Sequence, residues 1–251
     1  MKVLGQSQLT FQIIVFTAIG CMVWALFQDY SWHWWLLAYG MYFVYGCLGI
    51  TVTFHRYLTH RSFTISTWKE YLLAIIGHLA GTGSAITWIA IHHDHHIYAD
   101  TAKDPHSPKN GLAGMLTLQY NIPKYTKSRV ALSLAHDPFY RFLHDYYLGL
   151  HLVYSIGIYL TFGFNGLLFG HLIPVAFTAL VSAISNYFSH SFGYRTYQTR
   201  DDSRNDPVLA FLAWGEGWHN NHHKRPNNPK FGEKWWEFDI SWLVIKLLRN
   251  K

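Results

Sequence analysis

Four long apolar runs dominate the chain, at about residues 9–27, 33–54, 147–163 and 167–188. A helix needs about 20 mostly apolar residues to cross the hydrocarbon core of a bilayer, and each run is long enough or nearly so. The runs fall into two pairs joined by very short links, residues 28–32 and 164–166. Trp24, Tyr30, Trp32, Trp34 and Trp35 crowd the first link, as expected where helices leave the lipid. The first run lacks a good small-residue cleavage site and reads as a retained span rather than a signal peptide. The pattern predicts two helical hairpins in a membrane.

Charge orients them. Neither link contains Lys or Arg; one basic residue precedes the first run, nine lie between Arg56 and Arg141, and ten follow the fourth run. Cytoplasmic segments carry the excess of Lys and Arg, so both termini and the long middle segment are expected in the cytoplasm. The net charge of +6 is then a topology signal and implies no nucleic-acid partner. A chain 50% hydrophobic and only 14% charged is also excluded from intrinsic disorder. Cys21 and Cys47 lie inside apolar runs and read as small buried hydrophobes.

A fifth run, residues 71–91, is interrupted by Gly77, Gly81, Thr82, Gly83, Ser84 and Thr87. One crossing would put the bilayer between the histidines on its two sides, and two crossings would need about 40 residues. It is expected as a helix lying in or dipping into the membrane surface, and residues 235–248 as a second interfacial helix. The fold class expected is an all-α integral membrane protein, one domain over residues 1–251. Four transmembrane helices would carry a cytosolic helical cap, residues 55–146 and 189–251, holding a histidine-rich dimetal centre.

Seventeen histidines are what the function must explain. On the predicted cytoplasmic side they form four clusters: His55 with His60; His92, His93, His95 and His96; His190; and His219, His222 and His223. His92/His95/His96 and His219/His222/His223 repeat the pattern H-x-x-H-H, whose positions i, i+3 and i+4 share a helix face. Roughly 0.1 copies are expected by chance at this histidine content, so two copies are a signal. Asn186 and His190 are likewise i and i+4. His55 and His60 lie about 140° apart on an ideal α-helix, so the helix is expected to end between them or to serve two metals. Imidazole clusters without thiolates suit Zn, Cu, Fe or Ni, and nine are too many for one ion. His93 faces away from its neighbours. His33, His78, His136, His144, His151 and His171 are isolated in sequence and are expected to be packing or interfacial residues. His106 is expected in a supporting role beside the ligands.

The boxes His55-x-x-x-x-His60, His92-x-x-His95-His96 and His219-x-x-His222-His223 resemble those of membrane-bound fatty acid desaturases, most closely the Δ9, stearoyl-CoA-desaturase-like branch. Gly49-Ile50-Thr51, Asp104-Pro105-His106-Ser107-Pro108, Asn186-x-x-x-His190 and Gly215-Glu216-Gly217-Trp218 match as well, so the resemblance runs from about Phe43 to the C-terminus. It implies an oxidoreductase with two iron ions (Fe2+) and O2 as co-substrate, placing a cis double bond in a saturated acyl chain. The implied ligands are His55, His60, His92, His95, His96, His190, His219, His222 and His223, with Asn186 reaching one metal through a water. The animal acyl-CoA enzymes carry an Arg-Asp pair where this chain has Ala90-Ile91, which favours a lipid-linked acyl substrate over acyl-CoA. No His-Pro-Gly-Gly haem motif occurs, so the electron donor is expected to be a separate ferredoxin or cytochrome b5-like protein. The acyl tunnel is expected to pass Trp88 and end near Tyr39 or Phe43. A di-iron membrane hydroxylase and a non-enzymatic metal carrier or sensor are the competing readings.

Overall fold

The computed structural model describes residues 8–117 and 126–250; Lys2, Lys124 and Lys251, counted in the charge argument, lie outside them. Among the described residues three continuous helical stretches are long and apolar enough to cross a membrane: Leu9–Leu26, Trp32–Thr59 and Tyr147–Ser191. We label α1 (Gln8–Leu26), α2 (Trp32–Thr59), α8 (Tyr147–Leu167) and α9 (Ile173–Ser191). The third stretch is not straight. His151 and His171 are twenty residues apart, about 30 Å along an ideal helix, yet their ring centres are 5.6 Å apart. The chain reverses at Gly163, whose φ of 67° and ψ of −169° lie outside any helical region and favour glycine. The reversal therefore precedes the link predicted at residues 164–166.

The tips of the two hairpins pack together. Trp24 meets Phe164 edge-on at 5.8 Å, and Tyr30, Trp34 and Trp35 surround Phe169 at 4.8, 5.6 and 5.3 Å. Along its length up to the reversal, α8 exposes Leu152, Val153, Ile156, Tyr159, Leu160 and Phe162. So continuous an apolar face is what a helix facing lipid presents, not one facing water.

The run at residues 71–91 differs from the expectation of one helix. It is split into α3 (Thr67–Leu79) and α4 (Ala85–Tyr98) by a turn in which Gly81 and Gly83 adopt φ of 78° and 98°. Positive φ ends α3, and Ser84 then caps α4 by accepting from the Thr87 amide, so α4 can redirect its histidines. The expected interfacial helix at residues 235–248 is likewise shorter, α12 (Ile240–Leu248), because Asp239 caps it by accepting from Trp242 N. Trp235 and Phe238, ahead of it, stay exposed. Short helices α5 (Gly111–Leu116), α6 (Arg129–His136), α7 (Pro138–Asp145), α10 (Pro207–Leu212) and α11 (His219–Lys224), with a single tighter turn at Pro108–Asn110, complete the described helices.

The second half of α2, Phe43–Thr59, is wound with i→i+5 hydrogen bonds. This wider winding is usually confined to single turns and concentrates at functional sites. Here α2 packs on α3 with glycines at the contact: a Cβ on Gly77 would lie 2.5 Å from the Phe54 ring and 2.8 Å from the Gly49 carbonyl. Gly77→Ala should therefore destabilise the protein by about 1–3 kcal/mol, as overpacking does. Thermal denaturation in detergent should show a lowered Tm for it and little change for Gly157→Ala, where nothing lies within 4 Å of the added carbon.

Candidate metal centre

Four helices deliver nine imidazoles to one region. Their ring nitrogens form two groups, each within 4.8 Å: His55, His60, His92, His96 and His222 in one, His95, His190, His219 and His223 in the other. The i→i+5 winding explains why His55 and His60 share a group. The His60 amide donates to the His55 carbonyl at 3.1 Å, which brings the two rings edge-on at 4.9 Å instead of 140° apart around the helix. The helix also ends between them, as expected: its last residue is Thr59 and His60 is the C-cap.

The two H-x-x-H-H boxes do not each converge on one point, as their shared face had suggested. On α4 the i,i+4 pair His92/His96 serves the five-histidine group and His95 the other. On α11 the assignment is reversed: His219/His223 serve the four-histidine group and His222 the five. An i,i+4 pair is only 40° apart on a helix, whereas i+3 and i+4 are 100° apart, so each box straddles two adjacent sites.

The donor chemistry fits cations. In the five-histidine group the Nε2 atoms follow in the order His55, His222, His96, His92, His60, with successive separations of 3.0, 3.0, 2.9 and 3.1 Å. Each Nε2 offers either one proton or one lone pair. Hydrogen bonding can therefore satisfy at most two of these four contacts, whereas a cation accepts all five lone pairs. A spacing of about 3.0 Å is also that of adjacent nitrogens at right angles around an ion with bonds of about 2.1 Å. In the four-histidine group His190 and His219 approach at 3.1 Å, and the buried Nε2 atoms of His95 and His223 have no hydrogen-bond partner.

Carboxylates fix which nitrogen carries the proton. Nδ1 of His95 bonds Asp104 (3.0 Å), His190 bonds Asp100 (3.0 Å), His223 bonds Asp201 (2.9 Å) and His55 bonds Glu216. A proton held at Nδ1 leaves the Nε2 lone pair aimed inward. Burial, reinforced by the neighbouring rings, pushes His60, His92, His96, His219 and His222 well below the usual imidazole range. Burial also lowers His223, to about 4, although its bond to Asp201 opposes the shift. These rings are neutral at physiological pH, the state in which imidazole binds metals.

Arg56, fully buried, ties the centre to the C-terminal segment. Its Nη1 donates to both Asp239 oxygens (2.9 and 2.8 Å) and to the Pro229 carbonyl (2.9 Å). Its Nε and Nη2 reach Glu216 at 3.3 and 3.2 Å, and its guanidinium lies 3.7 Å above Phe231. Phe231 in turn stacks on His222 at 4.3 Å.

A cavity of about 170 Å³ adjoins both groups. His55, His92 and His219 form one part of its wall, and Tyr42, Gly46, Ile50, Ala179 and Val181 continue it along α2 and α9. Residues 11–239 match the profile of the family described as fatty acid desaturase. The chain belongs to that family. It is 35% identical over 238 residues to the sn-1 stearoyl-lipid 9-desaturase of Anabaena variabilis, covering 92% of this chain and 88% of the relative. To the sn-2 palmitoyl-lipid 9-desaturase of Nostoc sp. (strain 36) it is 34% identical, covering 88% and 80%. To the acyl-CoA C20 Delta5-desaturase of Anemone leveillei it is 34% identical, covering 88% and 72%.

Among the other predicted site residues of this desaturase, Trp88 lines the cavity and stacks on His92 at 4.8 Å, and Asn186 lines it while donating to the His106 carbonyl. Tyr39 and Phe43 do not line it. They pack against Trp214, at 5.7 and 5.2 Å, while the helix turns Tyr42 and Gly46 toward the cavity. His106 sits beside His95, ring centres 4.5 Å apart, and His93 turns away to Ser128 and the Thr59 carbonyl. His151 and His171, isolated in sequence, do acquire partners: the His78 carbonyl at 3.1 Å and the Tyr45 hydroxyl at 3.0 Å.

Sequence reasoning missed Asp100, Asp201, Arg56, Asp239 and Phe231. Scarcity of charge was the available signal, since an acidic residue near a histidine box in so apolar a chain has few other uses. Two metals per chain are expected on loading and elemental analysis. His93→Ala should retain both, and His95→Ala should lose stoichiometry; equal metal content in the two variants would contradict the grouping.

Proposed function

We propose that this desaturase uses O2 and a di-iron centre to introduce a cis double bond at Δ9 into a saturated acyl chain esterified in a membrane lipid. The observation that carries this reading is the cavity that borders both histidine groups and continues between apolar walls of α2 and α9. The nine histidines are the metal ligands, with Asn186 reaching one ion through a water. Relatives named as acyl-lipid 9-desaturases support the lipid substrate and the position of the double bond. So does the local chemistry: Ala90 is buried and Ile91 lies on the cavity wall, so neither offers a charge to a nucleotide head group.

Four transmembrane helices, α1, α2, α8 and α9, carry the centre at their cytoplasmic ends, with both termini on that side. The distribution of Lys and Arg supports this, as does the packing of the hairpin tips at the ends of the helices opposite the nine clustered histidines. When bound, iron supplies the O2 activation that removal of two unactivated methylene hydrogens demands. The protein supplies the rest. Asp100, Asp104, Asp201 and Glu216 hold Nδ1 protons so that each imidazole stays oriented. The apolar walls exclude water and hold the chain extended past the histidines, and Trp88 braces His92 from the cavity side. Two electrons from a separate ferredoxin or cytochrome b5-like donor and two protons complete the reduction of O2 to two waters.

Fatty-acid profiling of a bacterial host expressing the protein tests this directly. O2-dependent cis-Δ9 monoenes are expected in the membrane glycerolipids and are lost in His95→Ala; hydroxy acids, or no change, would overturn the reading. Product made from acyl-CoA but not from lipid would overturn the choice of acyl carrier. Tyr42→Leu, which shortens the cavity wall, should shift products toward longer chains, whereas Phe43→Ala should leave the chain-length profile unaltered.

A further inference from the structure

The carboxylates that hold histidine protons are divided unequally between the two groups. The five-histidine group has one, Glu216 on His55, and Arg56 shares it through Nε and Nη2 at 3.3 and 3.2 Å. The four-histidine group has three: Asp104 on His95, Asp100 on His190 and Asp201 on His223, at 3.0, 3.0 and 2.9 Å. Among the described residues no Lys or Arg forms an ion pair with any of these three. Arg195 bonds the backbone carbonyl of Asp201 at 2.8 Å, not its carboxylate.

These three carboxylates are held in place by the backbone. Asp100 accepts from the Asp202 amide at 2.7 Å, Asp104 from the Asp100 and His106 amides at 3.2 Å each, and Asp201 from the Ser203 amide at 3.0 Å. Asp100 also adopts φ of 62°, a left-handed conformation that non-glycine residues rarely take outside sites that require it. Anionic partners on ligating imidazoles make those ligands more basic, and fixed negative charge nearby favours the more highly charged ion. At the other group Arg56 is shared between Glu216 and Asp239, so that cluster carries a single net negative charge against three at the four-histidine group.

We infer that the two metal sites are unequal, the four-histidine site holding the oxidised ion more firmly, so that the first electron settles at the five-histidine site. The inference rests on the di-iron reading above. In the step, one external electron converts Fe3+ among His55, His60, His92, His96 and His222 to Fe2+. The ion among His95, His190, His219 and His223 stays Fe3+ until a second electron arrives. No bond breaks and no proton leaves Nδ1. Asp100, Asp104, Asp201 and Glu216 are thus positioning residues that also set the order of reduction.

The test is an anaerobic dithionite titration of the full-length protein loaded with two 57Fe per chain, followed by Mössbauer and EPR spectroscopy. At one electron per pair, a localised Fe2+/Fe3+ state is expected to accumulate between two distinct midpoints. Asp100→Asn, Asp104→Asn or Asp201→Asn should raise the second midpoint more than the first, and Glu216→Gln should raise the first more than the second. Each amide keeps an oxygen to accept the Nδ1 proton, and Asn tolerates the left-handed backbone at position 100. Direct passage from the diferric to the diferrous state in the unmodified protein would overturn the inference, whatever the fate of the variants. So would a reversed order of the two shifts. A protein that holds two irons and makes alkene but shows no mixed-valence state loses this inference alone; one that takes up no iron loses the di-iron reading with it.

Discussion

Nine imidazoles gathered into two groups, with ring nitrogens facing one another inside each, are an arrangement hydrogen bonds cannot satisfy. Unpaired buried acceptors are costly in a protein interior, so the surrounding structure has to hold these rings against a cost that bound cations would offset. It does so by direct hydrogen bonds from four Nδ1 atoms to carboxylates that are themselves anchored by backbone amides or by Arg56. The short helices α4 and α11 and the long helices α2 and α9 meet because each contributes part of this one cluster.

The geometry of α2 follows from the same demand. An α-helix would direct His55 and His60 to different sides, and the i→i+5 winding over Phe43–Thr59 places them on one. Its neighbour Arg56 is turned to the opposite task, bonding Asp239, the residue that also caps α12. One short stretch of sequence therefore fixes two of the clustered histidines, holds Glu216 through Arg56 and fastens the C-terminal segment. That fastening sets Phe231 against His222, so the far end of the chain braces the centre without contributing a ligand.

The apolar runs, the aromatic girdle at the first link and the sorting of Lys and Arg are all legible in the order of residues alone. They arise from transfer energetics that act residue by residue, so composition and order reveal them. The histidine boxes are legible because helical periodicity limits which residues can share a face. Expectation and structure part where backbone geometry departs from the ideal α-helix. The wide winding of α2 regroups His55 with His60, the positive φ of Gly81 and Gly83 splits residues 71–91 into two helices, and Gly163 reverses the chain ahead of the expected link.

What the sequence by itself determined is the kind of environment each segment occupies and the presence of nine histidines in closely spaced boxes, because these depend on local composition and short-range spacing. What only the tertiary structure decided is the division of those nine into groups of five and four, the carboxylate given to each histidine, and Tyr42 and Gly46 as the cavity wall. Each of these is a relation between side chains brought together by packing. His95 and Asp104 are close in sequence, but His223 finds Asp201, His190 finds Asp100 and His55 finds Glu216 only after the helices pack. Spacing along one helix fixes a direction, and the distance to a partner on another helix is set by the packing between them.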